Sequence, residues 1–168
     1  HVPAPHLELL WRGYEALRPK RPVELLLMGR RNMDLPAIPG IRYLGFLDPE
    51  QKSAVLQGAI ALVAPAPLES LSLTTLESFL ARRPVLVNRT CGPLMEHIGD
   101  GRRGLSFSDP ESFAQGAQIL HDHPVVADRM GADGFAYVWE RYRWEVVLDR
   151  LDGWVGRAWA GMGNRDEH

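Results

Sequence analysis

Two glutamates separated by seven residues are the side chains in this sequence best placed to do chemistry. Glu69 comes just before a predicted helix, and Glu77 lies about two turns along it. At about 1.5 Å of rise per residue, the two carboxylates are on the order of 12 Å apart, which is too far for a catalytic dyad. The spacing instead indicates two carboxylates that hold different parts of one long ligand by accepting hydrogen bonds from its hydroxyl groups.

The segment between the two glutamates has the features of an anion site. A predicted strand ends at Val63, a proline-rich loop follows, and a helix begins at about Leu71 among the small polar residues Ser70 and Ser72. A helix that begins after a parallel strand offers unpaired backbone N–H groups and the positive end of its dipole to a ligand at the carboxyl edge of the sheet. The sequence therefore predicts a phosphate site that needs no lysine.

Other motifs carry less chemistry. The run Gly99–Gly104 has the spacing of a dinucleotide-binding loop, but it follows a helix and opens a strand, which excludes the NAD interpretation. His121 and His123 straddle a helix end without a third ligand, so no metal site is predicted. Cys91, the single cysteine, excludes an internal disulfide and is predicted to be a small buried residue. Arg89, in the same loop as Cys91, is a candidate contact for a diphosphate.

Composition sets broad limits on function. The 168 residues are 45% hydrophobic and 24% charged, which is typical of one folded domain. A net charge of −2 provides no general positive field for nucleic acid or an anionic membrane. The apolar runs are too short to span a bilayer and no secretory leader is visible, so a cytoplasmic protein is expected. Lys20 and Lys52 are the two lysines in an otherwise arginine-based set of cations.

Strands alternate with helices along most of the chain, which favours an α/β fold with a parallel sheet and right-handed crossovers. After about residue 124, helices follow one another without a strand. The predicted strands are 23–28, 41–44, 59–63, 84–87 and 104–107, and the predicted helices before the tail are 6–17, 48–57, 71–81, 94–98 and 109–121.

With these motifs in order, the sequence resembles the retaining GT-B glycosyltransferases of family 4, the glycosyl transferases group 1. Glu69 and Glu77 match the E-x7-E motif of that family. Five further segments resemble family landmarks and occur in the same order, namely Leu25–Gly29, Tyr43–Leu47, Arg83–Leu86, Gly101–Leu105 and Tyr142–Glu145. Each landmark is weak alone, and the ordered set covers nearly the whole chain.

The resemblance implies a fold and a ligand. The fold would be the C-terminal half of a GT-B enzyme, a Rossmann-like parallel sheet flanked by helices with extra C-terminal helices, and the ligand a nucleotide-diphosphate sugar. Glu77 would bind the ribose hydroxyls, and Glu69 would bind the hydroxyls of the donor sugar as the catalytic candidate. The remaining donor-binding candidates are Ser70, Leu71, Ser72, Leu73 and Thr74 around the diphosphate and sugar, Leu44 beside the base, Gly29, and Arg89.

The resemblance also implies a reaction, and the sequence departs from the usual family motif at three positions. The reaction would transfer a hexosyl group with retention, and it would need no cofactor and no obligatory metal. Ser72 stands where the family often has glycine, and Leu71 stands where it often has phenylalanine. Arg82 replaces the glycine that commonly closes the helix, which predicts either a positive φ at Arg82 or a different cap.

By the same resemblance, residues 1–168 form one nucleotide-sugar-binding domain with a helical tail from about 124. Its first strand, which carries the family's arginine–lysine pair, and the N-terminal acceptor domain are expected to be absent. Neither Lys20 nor Lys52 is expected to replace that pair, so the fragment should be inactive alone. Any membrane contact would come from the missing domain. The alternatives are a non-catalytic module that associates through its aromatic C-terminal helices and, less favoured, a nucleotide-sugar epimerase.

Overall fold

The computed structural model describes residues 5–31 and 34–163, with the backbone alone for 158 and 160–163. The α/β class is confirmed. The strands are β1 (Leu25–Met28), β2 (Ile41–Gly45), β3 (Leu62–Ala64), β4 (Val85–Asn88) and β5 (Gly104–Phe107). The helices are α1 (Pro5–Leu17), α2 (Pro49–Gly58), α3 (Leu73–Leu80), α4 (Gly92–Ile98), α5 (Pro110–Asp122), α6 (Pro124–Tyr142) and α7 (Trp144–Gly163).

All strand pairs are parallel, as predicted, but their hydrogen bonds divide them into two groups. β1 pairs with β2, and β3, β4 and β5 pair in that order. Leu25 lies opposite Ile41 in the first group, whereas Val85 lies between Leu62 and Gly104 in the second. Within the described residues no ladder joins β1 to β3, so the expected parallel sheet consists of a two-stranded and a three-stranded part.

Local signals place the helix starts at the carboxyl ends of the strands. Asp48 accepts a hydrogen bond from the backbone N–H of Gln51 at 2.8 Å, and the Gln51 side chain accepts one from the Asp48 N–H at 3.2 Å. This capping box, with Pro49 in the first turn, fixes the start of α2. Asp109 caps α5 in the same way through Ser112. Because the strands within each group are parallel, α3, α4 and α5 begin at the carboxyl edge of the three-stranded part, and α2 begins at that of the two-stranded part.

One hydrophobic core lies under both groups of strands. Its buried members come from α1, β4, β5, α5 and α6, and they are Leu10, Trp11, Tyr14, Leu86, Phe107, Phe113, Leu120 and Ala127. Phe107 and Phe113 meet edge to face with ring centroids 5.3 Å apart. Leu25 and Leu27 of β1 and Val63 of β3 pack against the same cluster. Side-chain packing therefore connects the two groups of strands that hydrogen bonds do not join.

The chain divides into two compact units, the first ending at Phe135 and the second beginning at Ala136. Within the second unit, the Tyr137 and Tyr142 rings meet edge to face at 5.9 Å, and the Arg141 guanidinium lies 4.6 Å from the centre of the Tyr137 ring. No helix in the described part of the chain combines the length and the apolar character that crossing a membrane requires.

A pair of charges ties the turn after α1 to the end of α5. The Arg21 guanidinium donates to both carboxylate oxygens of Asp122, with Nε 2.6 Å from Oδ1. Nδ1 of His121 lies 2.9 Å from the same Oδ1. The hydrogen bonds from Arg21, and secondarily from His121, hold the pKa of the Asp122 carboxyl well below its usual range.

Asp122→Asn is expected to lower the Tm at pH 7, and the difference from the parent protein should shrink progressively as the pH falls below about 4 toward the lowered pKa of Asp122. A carboxyl whose pKa is depressed by folding stabilises the protein fully above its unfolded pKa, near about 4, and loses that contribution as the pH falls further. Thermal unfolding at pH 7 and at several pH values from about 4 down to about 2 checks this. Asp133→Asn, an exposed aspartate on α6, is the control. A gap between parent and variant that persists unchanged in acid would contradict the assignment.

Candidate functional site

The loop before α3 leaves two backbone donors without partners. α3 begins at Leu73, two residues later than predicted, because Ser72 takes a left-handed conformation with φ 52° and ψ 73°. The N–H groups of Thr75 and Leu76 donate to the Ser72 carbonyl at 3.0 and 3.3 Å. Within the described residues, the N–H groups of Leu73 and Thr74 make no hydrogen bond. This is the geometry that a helix start offers to an anion.

Ser72 holds this geometry under strain. A non-glycine residue in the left-handed region carries a steric cost of about 1 kcal/mol. The side chain is buried, and its Oγ lies 3.1 Å from Oγ1 of Thr75 rather than capping a helix N–H. The serine that replaces the family's glycine therefore keeps the turn and closes the base of the loop with a hydroxyl pair.

The loop is anchored at both ends by buried side chains from other elements. Asn88, at the end of β4, donates from Nδ2 to the Pro65 carbonyl at 2.9 Å. His97 of α4 is only 4% exposed, and its Nε2 lies 2.8 Å from the Leu71 carbonyl. His97 was not among the residues predicted from the sequence, although a histidine beside the buried Leu94 and Ile98 of a short helix was a usable signal.

His97→Ala is expected to lower the free energy of unfolding by about 2 kcal/mol, because it removes the partner of the Leu71 carbonyl and opens a small cavity. Urea denaturation measures the change. His123→Ala removes an exposed imidazole and should alter the unfolding free energy by less than about 0.5 kcal/mol. Equal stability of the two variants would show that His97 does not support the loop.

Most of the predicted loop residues are open to solvent. Glu69, Ser70, Leu71, Leu73 and Thr74 are all exposed. Within the described residues, no ion pair or hydrogen bond engages the Glu69 carboxylate. The structure thus presents Glu69 as an accessible acceptor in the loop that leads to the unpaired N–H groups of α3.

Glu77 lies further along α3 and is paired. Its Oε1 lies 2.5 Å from Nζ of Lys52, and about one third of each side chain is exposed. Its Oε2 is buried and has no hydrogen-bond partner within the described residues. No lysine was expected here from the sequence. Lys52 reaches Glu77 because α2 packs against α3.

The other candidates divide between the two groups of strands. Gly29 ends β1 with φ 119°, and its carbonyl accepts a 2.8 Å hydrogen bond from the Tyr43 hydroxyl. Leu44 is half-buried on the neighbouring β2. Arg89 follows β4, and its Nε donates to Oγ of Ser106 at 3.2 Å. This hydrogen bond holds the Arg89 side chain against Ser106 of β5, and its contact with a diphosphate stays a prediction.

Two further sequence features have a clear structural outcome. Arg82 takes φ 56°, which confirms one of the two predicted geometries, and its guanidinium lies 4.0 Å from the centre of the Phe135 ring. Cys91 is buried, as predicted. Across residues 5–31 and 34–163, no group of three or more His, Cys, Asp or Glu side chains is placed to hold a metal ion.

Comparison with known proteins decides the family. The model of the glycosyl transferases group 1 family matches residues 3–123, most of the first unit. The chain belongs to this family. This group 1 glycosyltransferase chain is 32% identical over 108 residues to the D-rhamnosyltransferase WbpZ of Pseudomonas aeruginosa. The match covers 61% of this chain and 27% of WbpZ. It is 30% identical over 108 residues to the glycogen synthase of Mycobacterium tuberculosis, covering 63% of the chain and 26% of the synthase.

Solved structures support the same fold for the glycosyltransferase chain. The sucrose-phosphate synthase of Thermosynechococcus elongatus superposes with a TM-score of 0.75 at 19% sequence identity. The match covers 89% of this chain and 42% of the synthase. At that identity the likeness concerns the fold alone. The chain spans about a quarter of the length of the curated relatives that it matches.

Proposed function

We propose that this chain is the donor half of a retaining glycosyltransferase, which binds a nucleotide-diphosphate sugar and whose complete protein transfers a hexosyl group to an acceptor. The supporting observation is the position of two carboxylates on either side of a free helix start. Glu69 precedes the unpaired N–H groups of Leu73 and Thr74, and Glu77 follows them. Along a nucleotide sugar, the hydroxyls of the donor sugar, the diphosphate and the hydroxyls of the ribose follow one another in the same order.

The diphosphate takes the start of α3 in this proposal. Two unpaired N–H groups and the positive end of the helix dipole favour the negative charge of the diphosphate, which increases as the diphosphate leaves. When the bond between the sugar's anomeric carbon and the phosphate oxygen breaks, its electron pair goes to that oxygen. The donors are already aimed at the charge that develops there, which lowers the barrier without reorganisation.

The carboxylates take the sugar rings. Glu77 accepts hydrogen bonds from the ribose, and Glu69 accepts them from the donor sugar, whose ring becomes oxocarbenium-like as the diphosphate leaves. The acceptor hydroxyl then bonds to the anomeric carbon on the face that the diphosphate left and gives its proton to the departing diphosphate oxygen, which gives retention. In this scheme the helix dipole and hydrogen bonds balance the charge, so no cofactor and no obligatory metal take part.

Binding, rather than turnover, is the appropriate test for a chain that spans about a quarter of its relatives. We expect no sugar transfer by this chain alone. Calorimetric titration with UDP, GDP and ADP should show binding of at least one of them, with an affinity that falls as salt is raised. Absence of heat with all three nucleotides, and with the matching nucleotide sugars, would overturn the proposal.

A second candidate function is a non-catalytic module that associates with a second copy of itself. The observation in its favour is the exposure of three tryptophans on α7, Trp144 at 76%, Trp154 at 64% and Trp159 at 78%. Sedimentation that depends on protein concentration and not on nucleotide would favour this module. A monomer that binds a nucleoside diphosphate would exclude it.

A further inference from the structure

We infer that Lys52 and Glu77 together form a binding site for the ribose diol, with Lys52 donating to one hydroxyl while Glu77 accepts from its neighbour. The inference rests on the proposed function and extends it to a residue on a different helix. Its starting point is the 2.5 Å contact between Nζ of Lys52 and Oε1 of Glu77, which joins α2 to α3 across 25 residues of sequence.

The local structure of α2 does not favour a lysine at position 52. It lies near the N-terminal end of α2, whose dipole favours acidic side chains such as Glu50 and disfavours cations. An ion pair between side chains that are about one third exposed adds little to stability. Neither the helix nor the pair energy therefore accounts for the placement. The position instead brings the ammonium to the one carboxylate that the proposal assigns to ribose.

Both members of the pair can form further hydrogen bonds, Lys52 as a donor and Glu77 as an acceptor. An ammonium group carries three donors, and the contact with Oε1 uses one of them. A carboxylate oxygen accepts more than one hydrogen bond, so Oε1 remains open to a second donor. Oε2 is buried without a partner among the described residues, which leaves Lys52 as the counter-charge that keeps the carboxylate in place.

A vicinal diol matches this arrangement. Each hydroxyl both donates and accepts. One hydroxyl donates to the carboxylate, and its neighbour accepts from the ammonium. A carboxylate can only accept hydrogen bonds, so Lys52 supplies the donor for the second hydroxyl. Binding to the pair therefore depends on the presence of both hydroxyls. Removal of one hydroxyl should consequently cost more when Lys52 is present than when it is absent.

The test is a cycle between protein and ligand. Among UDP, GDP and ADP, the nucleotide that binds is titrated into the protein beside its 2′-deoxy counterpart, with the parent chain, Lys52→Met and Lys52→Arg. We expect Lys52→Met to weaken the ribonucleotide roughly threefold to tenfold and the deoxynucleotide by less than twofold. Lys52→Arg, which keeps a donor, should restore part of the discrimination. Lys20→Met removes the other lysine and is the control.

Three results would overturn the inference while leaving the proposed function intact. Equal losses for the ribonucleotide and the deoxynucleotide would show a general attraction to the diphosphate charge. Unchanged binding would give Lys52 no role, and tighter binding would make it a competitor for Glu77. If circular dichroism shows that Lys52→Met does not fold, Lys52→Arg replaces it in the comparison with the parent chain. Failure of the parent chain to bind any of the three nucleotides would instead refute the proposed function.

Discussion

Glu77→Gln is expected to weaken nucleoside diphosphate binding at least tenfold. Hydrogen bonds to a charged acceptor contribute about 1.5–3 kcal/mol, whereas those to a neutral acceptor contribute about 0.5–1.5 kcal/mol. The loss of about 1.4 kcal/mol is a factor of ten in affinity. Glutamine keeps the size of the side chain but removes the charge that Lys52 faces and that the proposed function assigns to the ribose. Calorimetry at fixed salt measures the effect.

A matched control separates this effect from general charge. Glu15→Gln makes the same change on the exposed face of α1, whose C-terminal end leads to the amino end of β1 and therefore to the opposite edge of the strands. Affinity should be unchanged there. If Glu77→Gln and Glu15→Gln bind nucleotide equally well, the ribose does not lie at Glu77.

Gly131→Ala is expected to destabilise the first unit by about 3 kcal/mol. A Cβ at this position of α6 would overlap the carbonyl oxygen of Arg82 and lie 2.5 Å from its carbonyl carbon. Both are backbone atoms of the turn that closes α3, so no side chain can rotate away. The helix or the turn must shift, and the slightly better helix propensity of alanine, below about 1 kcal/mol, does not offset that cost.

Urea denaturation of Gly131→Ala beside Gly58→Ala tests this packing. Gly58 is also helical and lies in the same unit, and a Cβ added there would meet no atom within 4 Å. Its substitution should change the unfolding free energy by less than about 0.5 kcal/mol. Similar stabilities for the two variants would mean that α6 does not approach the turn closely.

Much of the fold was predictable because periodicity and turn residues report local structure. The strand β5 and the caps at Asp48 and Asp109 match the prediction. The third strand was predicted three residues too early. Ala59 still donates to the Leu56 carbonyl to close α2, and pairing with β4 begins only at Leu62. Competition between the end of a helix and the start of a strand is not visible in a hydrophobic pattern.

The candidate site was predictable only in part. Glu69, Glu77 and the helix start follow from residue types and spacing along one segment. Lys52 and His97 did not, since each reaches the site through a tertiary contact 25 or 26 residues away in sequence. The absence of a ladder between β1 and β3, both within the described residues, was also not predictable, because it too depends on contacts between segments that are distant in sequence. A sequence pattern identifies strands, but it does not determine which strands are neighbours.

Within the described residues, the division of the strands into two groups means that side chains, and not a hydrogen-bonded ladder, join the two halves of the candidate site. Gly29 and Leu44 belong to the two-stranded part, whereas Glu69, Glu77 and Arg89 belong to the three-stranded part. The contacts between the parts include the shared apolar cluster and the Lys52–Glu77 pair. Under the proposed function, the distance between the base and the diphosphate would therefore be set by side-chain packing between the two parts and not by a strand ladder.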